Sequence, residues 1–168
     1  MTGRTPRMWL LLLLVALPAH AGPVPPAPGA GRAAPAFSLP GRAGTVSLDS
    51  LRGRVVYVDF WASWCEPCRR SFPWLNTLQE RFADRGLTVI AVNLDKDRRA
   101  ADAFLERFPA AFTVAYDPAG RTAEAYRVSV MPSSFLIGPT GTILSSHAGF
   151  DPRKTGAIEA LIEEACPR

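Results

Sequence analysis

Val55-Val56-Tyr57-Val58-Asp59-Phe60-Trp61-Ala62-Ser63-Trp64-Cys65-Glu66-Pro67-Cys68 decides how this chain is read. Residues 55–61 form an apolar run of strand length broken by one acid, Asp59. Two cysteines separated by two residues follow, and from Pro67 to Arg85 the apolar residues Phe72, Leu75, Leu78 and Phe82 recur at helical spacing. A strand that runs into Cys-X-X-Cys and then a helix puts both sulfurs within one turn, where a disulfide can close and reopen. Structural zinc needs about four Cys or His ligands. The chain offers three Cys and two His, with His20 near the amino end and Cys166 near the carboxyl end. Redox chemistry is therefore favoured over metal, and neither a metal nor a cofactor is expected.

The first 21 residues read as an export signal. Arg4 and Arg7 make a basic start, Met8 to Leu17 an apolar run, and Ala19-His20-Ala21 a small-x-small cleavage site. Ten apolar residues rise only about 15 Å as a helix, roughly half a bilayer's hydrocarbon core, and Pro18 then interrupts them. Cleavage after Ala21 is the expectation, with an uncleaved membrane anchor as the alternative. Either way the protein is expected in the periplasm or another extracytoplasmic space. Residues 22–35 hold five Pro, three Gly and four Ala, a composition that reads as linker. Residues 36–168 then form one domain.

The charge balance does not imply a nucleic-acid partner, and none is expected. The chain carries +4, or about +2 without Arg4 and Arg7. Arg69, Arg70, Arg98 and Arg99 are the nearest approach to basic clusters, and Asp95, Asp97 and Asp102 interleave the second pair. Solvated faces account for them.

Beyond the redox turn the pattern alternates. A short strand at Thr45 to Leu48 precedes the central one. After Gly86 come a strand at Leu87 to Leu94, a helix at Arg99 to Phe108, a strand at Thr113 to Tyr116 and a short helix at Thr122 to Tyr126. Strands at Ser134 to Ile137 and Thr142 to Ser146 flank the turn Gly138-Pro139-Thr140-Gly141, and a helix from Pro152 to Ala165 closes the chain. Pro73 is expected to kink the long helix. An α/β domain around one central sheet follows.

Three motifs carry a family resemblance: Ala34-Pro35-Ala36-Phe37-Ser38-Leu39, Val58-Asp59-Phe60-Trp61-Ala62-Ser63-Trp64-Cys65, and Met131-Pro132-Ser133-Ser134-Phe135-Leu136-Ile137. From about Ala33 onward the chain resembles the exported thioredoxin-like thiol-disulfide oxidoreductases of the TlpA/ResA type. The resemblance implies a thioredoxin fold with an amino-terminal β extension and a central insertion, which Arg98 to Tyr126 is long enough to contain. Two positions depart from the family pattern. Ser71 stands where members that reduce cytochrome precursors carry glutamate, and Val130 stands where glycine is common.

Cys65, at the amino end of the helix, is the expected nucleophile, because unpaired amides and the helix dipole favour a thiolate there. Cys68 is expected to be the resolving, more buried sulfur. Pro67 restricts the first helical turn, and Glu66 sets a negative charge near the sulfurs that opposes thiolate formation. This Glu66-Pro67 pair leans the chemistry toward reduction. Asp59, costly to bury as a carboxylate, takes by resemblance the role of proton partner to Cys68. Also by resemblance, Met131-Pro132 is a cis-proline loop that presents an extended client segment. Trp64 is the better candidate for an apolar client platform, since core packing explains Trp61. Cys166 reads as a spectator thiol near the tail, and His147 as a strand-surface residue.

The expected function is a protein thiol-disulfide oxidoreductase, most simply a monomeric disulfide reductase. By resemblance, a membrane thiol-electron donor would reduce it, and its clients would include cytochrome c precursors or copper-site proteins. The alternative is a copper-binding or copper-delivery module using both sulfurs and His147. Related copper chaperones, however, separate their cysteines by three residues. A peroxidase is disfavoured because the threonine-to-cysteine motif of peroxiredoxins is absent.

Overall fold

The computed structural model describes residues 30–166. The expected signal at 1–21 and most of the expected linker lie outside the described residues. A five-stranded sheet has the order β5-β4-β3-β6-β7, built from β3 (Val55–Trp61), β4 (Leu87–Asn93), β5 (Thr113–Tyr116), β6 (Ser133–Ile137) and β7 (Ile143–Ala148). The helices are α1 (Glu66–Phe82), α2 (Arg98–Arg107), α3 (Arg121–Ala125) and α4 (Thr155–Ala165). The amino-terminal extension is a separate antiparallel pair, β1 (Ser38–Pro40) and β2 (Thr45–Ser47).

β3 is apolar at nearly every position because it is central and covered on both faces. It runs parallel to β4 and antiparallel to β6. Val55, Tyr57 and Trp61 face a layer that holds Phe72, Leu75 and Leu78 of α1, Phe104 of α2, and Ile158 and Ile162 of α4. Val56, Val58 and Phe60 face the other side, against Phe37, Ala123 of α3, Tyr126 and Phe135. Period-two alternation therefore fixes Asp59 on the α1 face, between Tyr57 and Trp61. The segment expected to contain the insertion carries α2, β5 and α3, and β5 extends the sheet in parallel beside β4.

α1 remains one helix through Pro73, then tightens into a 3-10 turn at Ala83–Arg85. Gly86 ends it with φ 88°, a left-handed conformation open to glycine without a Cβ penalty. Burying each large side chain on its inner face contributes about 1.5–3 kcal/mol.

Four features go beyond the reading of the sequence. The domain begins before residue 36: the Gly31 amide donates to the Ile143 carbonyl at 2.9 Å, Ala33 bridges Thr142, and Ala34 is buried. This docking uses backbone groups, so a Pro/Gly/Ala composition does not prevent it. Second, Asp95 is no solvated charge. It is buried and accepts from the Ser63 amide at 2.8 Å, the Ser63 hydroxyl at 3.0 Å and Asn93 Nδ2 at 2.8 Å. Third, Cys166 is buried, because α4 aligns Ile158, Ile162 and Cys166 one turn apart on its inner face. Burial pushes its thiol above the ordinary cysteine value. Fourth, His147 is partly buried and lines a cleft.

Candidate active site

The redox turn is held from both ends. The Cys65 amide donates to the Ala62 carbonyl at 3.1 Å, and Asp95 ties down Ser63. Cys65 is the N-cap of α1, in extended conformation at φ −85° and ψ 105°, and its Sγ accepts from the Cys68 amide at 3.2 Å. A sulfur at this position stands where the helix presents its unpaired amides, the electrostatic condition for a stabilised thiolate. Cys65 and Cys68 are joined in a disulfide, with Cα atoms 5.3 Å apart. Cys65 keeps 5% exposure and Cys68 none.

Glu66 and Pro67 form the first helical turn. Glu66 pairs with Arg69 one turn on. The negative charge expected to oppose a thiolate is thus partly offset by a guanidinium that the motif alone did not single out. Ser71, buried behind the pair, donates its hydroxyl to the Cys68 carbonyl at 3.0 Å.

Trp61 is fully buried against Phe72 and Phe104, whereas Trp64 is 70% exposed. Trp64, Cys65 and Pro67 form one wall of a cleft of about 510 Å³, and Val128, Val130 and Met131 form another. Met131, predicted far along the chain, therefore shares a groove with the outer sulfur. The Met131-Pro132 bond is cis.

Pro132 turns away into a second cleft of about 360 Å³ that Asp59, Tyr57, Ser134 and His147 also line. Asp59 is 3% exposed, and its Oδ2 has no hydrogen-bond partner. Burial pushes its carboxyl well above the usual carboxylate range. Its cross-strand neighbours are Ala91 on β4 and Ser134 on β6. Ser134 accepts from the Tyr57 hydroxyl at 2.7 Å. Burial and the Asp59 charge both raise the Tyr57 phenol, which stays protonated. Sequence reasoning missed Ser134, Tyr57 and Asp95. Serines and a tyrosine inside apolar strands give a signal only when the register is known.

A family model described as Redoxin matches residues 29–162. The chain belongs to the Redoxin family. Among its relatives, the thiol-disulfide oxidoreductase ResA of Bacillus subtilis (strain 168) is 33% identical over 120 residues, covering 71% of this chain and 67% of that protein. ResA of Bacillus thuringiensis subsp. konkukian is 31% identical over 138 residues, 82% of this chain and 79% of the relative. A solved Chlorobium tepidum chain designated thiol:disulfide interchange protein DsbE superposes with a TM-score of 0.80 at 50% identity, covering 81% of this chain and 96% of its own. The thioredoxin fold and the TlpA/ResA resemblance stand, and this Redoxin protein is a thiol-disulfide oxidoreductase.

Proposed function

We propose that this protein is an extracytoplasmic disulfide reductase that acts on protein clients. Cys65 attacks a client disulfide from the open groove, and Cys68 resolves the resulting mixed disulfide. The observation that carries the reading is the asymmetry of the pair: one sulfur at a helix amino terminus beside an exposed apolar groove, the other fully buried beneath it. Trp64 and Met131 hold an extended client segment, with Pro132 shaping the loop. Asp59 takes the proton from Cys68, and Glu66 and Pro67 tune the pair.

Export rests on the basic, apolar and small-x-small pattern of residues 1–21. Among the described residues no helix is long and apolar enough to cross a membrane. In an oxidising compartment a reductase needs a reduced donor, and a membrane thiol-electron carrier fits that need. The family resemblance points to cytochrome c precursors or copper-site proteins as client classes. The buried Ser71 weakens the first of these, since a glutamate expected there is missing.

Trapping in cells tests the reading. Cys68→Ala should accumulate mixed disulfides with clients that mass spectrometry identifies, and Cys65→Ala should accumulate none. Equal trapping by both variants would overturn the assignment of nucleophile. Stoichiometric Cu(I) binding by the reduced protein, without turnover of a disulfide, would favour a copper module instead. His147 lines the cleft of Asp59 while Cys65 lines the other, which speaks against a shared metal site.

A further inference from the structure

Asp59 can take the Cys68 proton only as a carboxylate, and burial favours its protonated form, so its proton needs a route out of the fold. The chemistry, which rests on the mechanism proposed above, balances as follows. The Cys65 thiolate attacks one client sulfur, forming a Cys65-client disulfide and releasing the other client sulfur as a thiolate. The Cys68 thiol gives its proton to the Asp59 carboxylate and attacks Cys65 Sγ. That closes the Cys65-Cys68 bond and releases the second client thiolate. Two electrons have passed from enzyme to client, and one proton sits on Asp59. That proton returns to Cys68 when a donor reopens the Cys65-Cys68 bond or leaves to solvent, and an Asp59 that is already protonated cannot accept from Cys68 until its own proton has left.

The α1 face of the sheet carries a polar row at this point. Asp59 on β3 pairs with Ser134 on β6, and Ser134 pairs with His147 on β7. Directly opposed antiparallel residues hold their Cβ atoms about 4.5–5.5 Å apart, so His147 stands roughly two strand spacings from Asp59 on the same face. Both side chains line the 360 Å³ cleft, which is closed further by Trp74 of α1, Phe150 and Lys154. A space of that size with polar walls accommodates bridging water. Two of the side chains that line it carry buried atoms without hydrogen-bond partners: Oδ2 of the almost wholly buried Asp59 and Nε2 of His147. Cys65 does not line this cleft but the other one.

We propose that the cleft between β7 and the start of α4 is the proton port of the redox centre, and that His147 is the positioning residue that passes the proton from Asp59 to solvent. The other groups facing the port are poor carriers. The Tyr57 phenol is held protonated by burial and by Asp59. Asp151, before α4, is tied to Arg153, with its carboxyl lowered to about 2. Glu159 of α4 does not line the cleft; it stands behind the cleft wall Trp74, accepting from Trp74 Nε1 and from Arg81, which hold it below the usual carboxylate range. Lys154 adds a positive charge that, after burial, further favours the neutral imidazole of His147, the form able to accept a proton.

Single-turnover oxidation by the coloured aromatic disulfide dithiobis(nitrobenzoate) separates the two steps. The first thiolate released reports attack by Cys65, and the second reports resolution by Cys68. In His147→Gln the first release should be unchanged. The second should slow by about tenfold, less than the hundredfold or more of a group that takes the proton directly, because water partly substitutes. Its rise with pH through the imidazole titration should vanish, leaving that of Asp59, and added imidazole should restore the rate. In the exposed variant Lys154→Met, the same rise should move to higher pH. A second release in His147→Gln with the parent's rate and pH profile would overturn the proposal. So would a slowing that is uniform across pH and indifferent to imidazole, or a pH profile unmoved by Lys154→Met. Failure of the underlying mechanism shows differently, as a parent protein that gives no second release.

Discussion

The two clefts that flank Met131-Pro132 differ in almost every physical respect. The first is wide and mostly apolar, with Trp64, Val130 and Met131 displayed around the outer sulfur Cys65. The second is narrower and carries Asp59, Tyr57, Ser134 and His147. Large exposed apolar side chains are disfavoured on a surface that binds nothing, and an unpaired buried acid is disfavoured in a core that does nothing. Each cleft keeps the feature that would be a defect elsewhere. On this account clients and electrons use the open side and the proton uses the closed side, with residues 131 and 132 as the partition between them.

Asp59→Asn should break the closed side most severely. Removing a general acid-base group costs about 10²–10⁴-fold, so resolution should slow by about a hundredfold while the initial attack keeps its rate. Stopped-flow measurement of the two thiolate releases checks this. The same variant should be more stable than the parent at neutral pH. The folded-state pKa of Asp59 lies above its unfolded value, so the native state holds the extra proton between the two. Stability then falls as pH rises through that window, by up to about 1.4 kcal/mol per pH unit, and levels off above it. Asn carries no such penalty, so its advantage should disappear below about pH 4, where Asp is protonated in both states. Urea unfolding at several pH values reads the difference.

Trp64→Ala should affect only the open side. The side chain is 70% exposed, so the melting temperature should barely move. KM for a protein client should rise several-fold, with the rate on a small aromatic disulfide unchanged. An equal loss on both substrates would place Trp64 in the chemistry rather than in client binding.

Glu159→Gln is the mildest probe. Glu159 anchors Trp74, a wall of the closed cleft, and also pairs with Arg81. Losing a largely solvated pair costs about 0.2–1 kcal/mol. Its carboxyl is held below the ordinary value, so its contribution is present above the unfolded pKa and is lost as pH falls through the folded one. The variant should be slightly less stable than the parent near neutral pH and match it in acid, as thermal melts will show.

Sequence made the local features of the redox centre easier to read than those assembled from distant strands. The Cys65-X-X-Cys68 spacing is local, and Asp59 stands out as the lone acid in an apolar run. Met131-Pro132 was found only through resemblance, since nothing in the dipeptide indicates where the chain returns in space. His147 reads as a surface residue because Ser145, Ser146 and His147 show no burial contrast along β7. Its meaning depends on a register that runs through Ser134 to Asp59. Asp95 was hidden among Lys96, Asp97 and Arg98, whose charges do face solvent. Cys166 looked like a tail residue by position, although its spacing from Ile158 and Ile162 placed it on the inner face of α4.

The division of labour between the two sulfurs is the centre of this account, and one measurement addresses it directly. Purified reduced Cys68→Ser and Cys65→Ser would each be mixed with the same disulfide-bonded protein client, and the adducts mapped by peptide mass spectrometry. Cys68→Ser should carry the client on Cys65 in near-stoichiometric amount, and Cys65→Ser should carry almost none. A client adduct on Cys68 of comparable yield and rate would contradict the account.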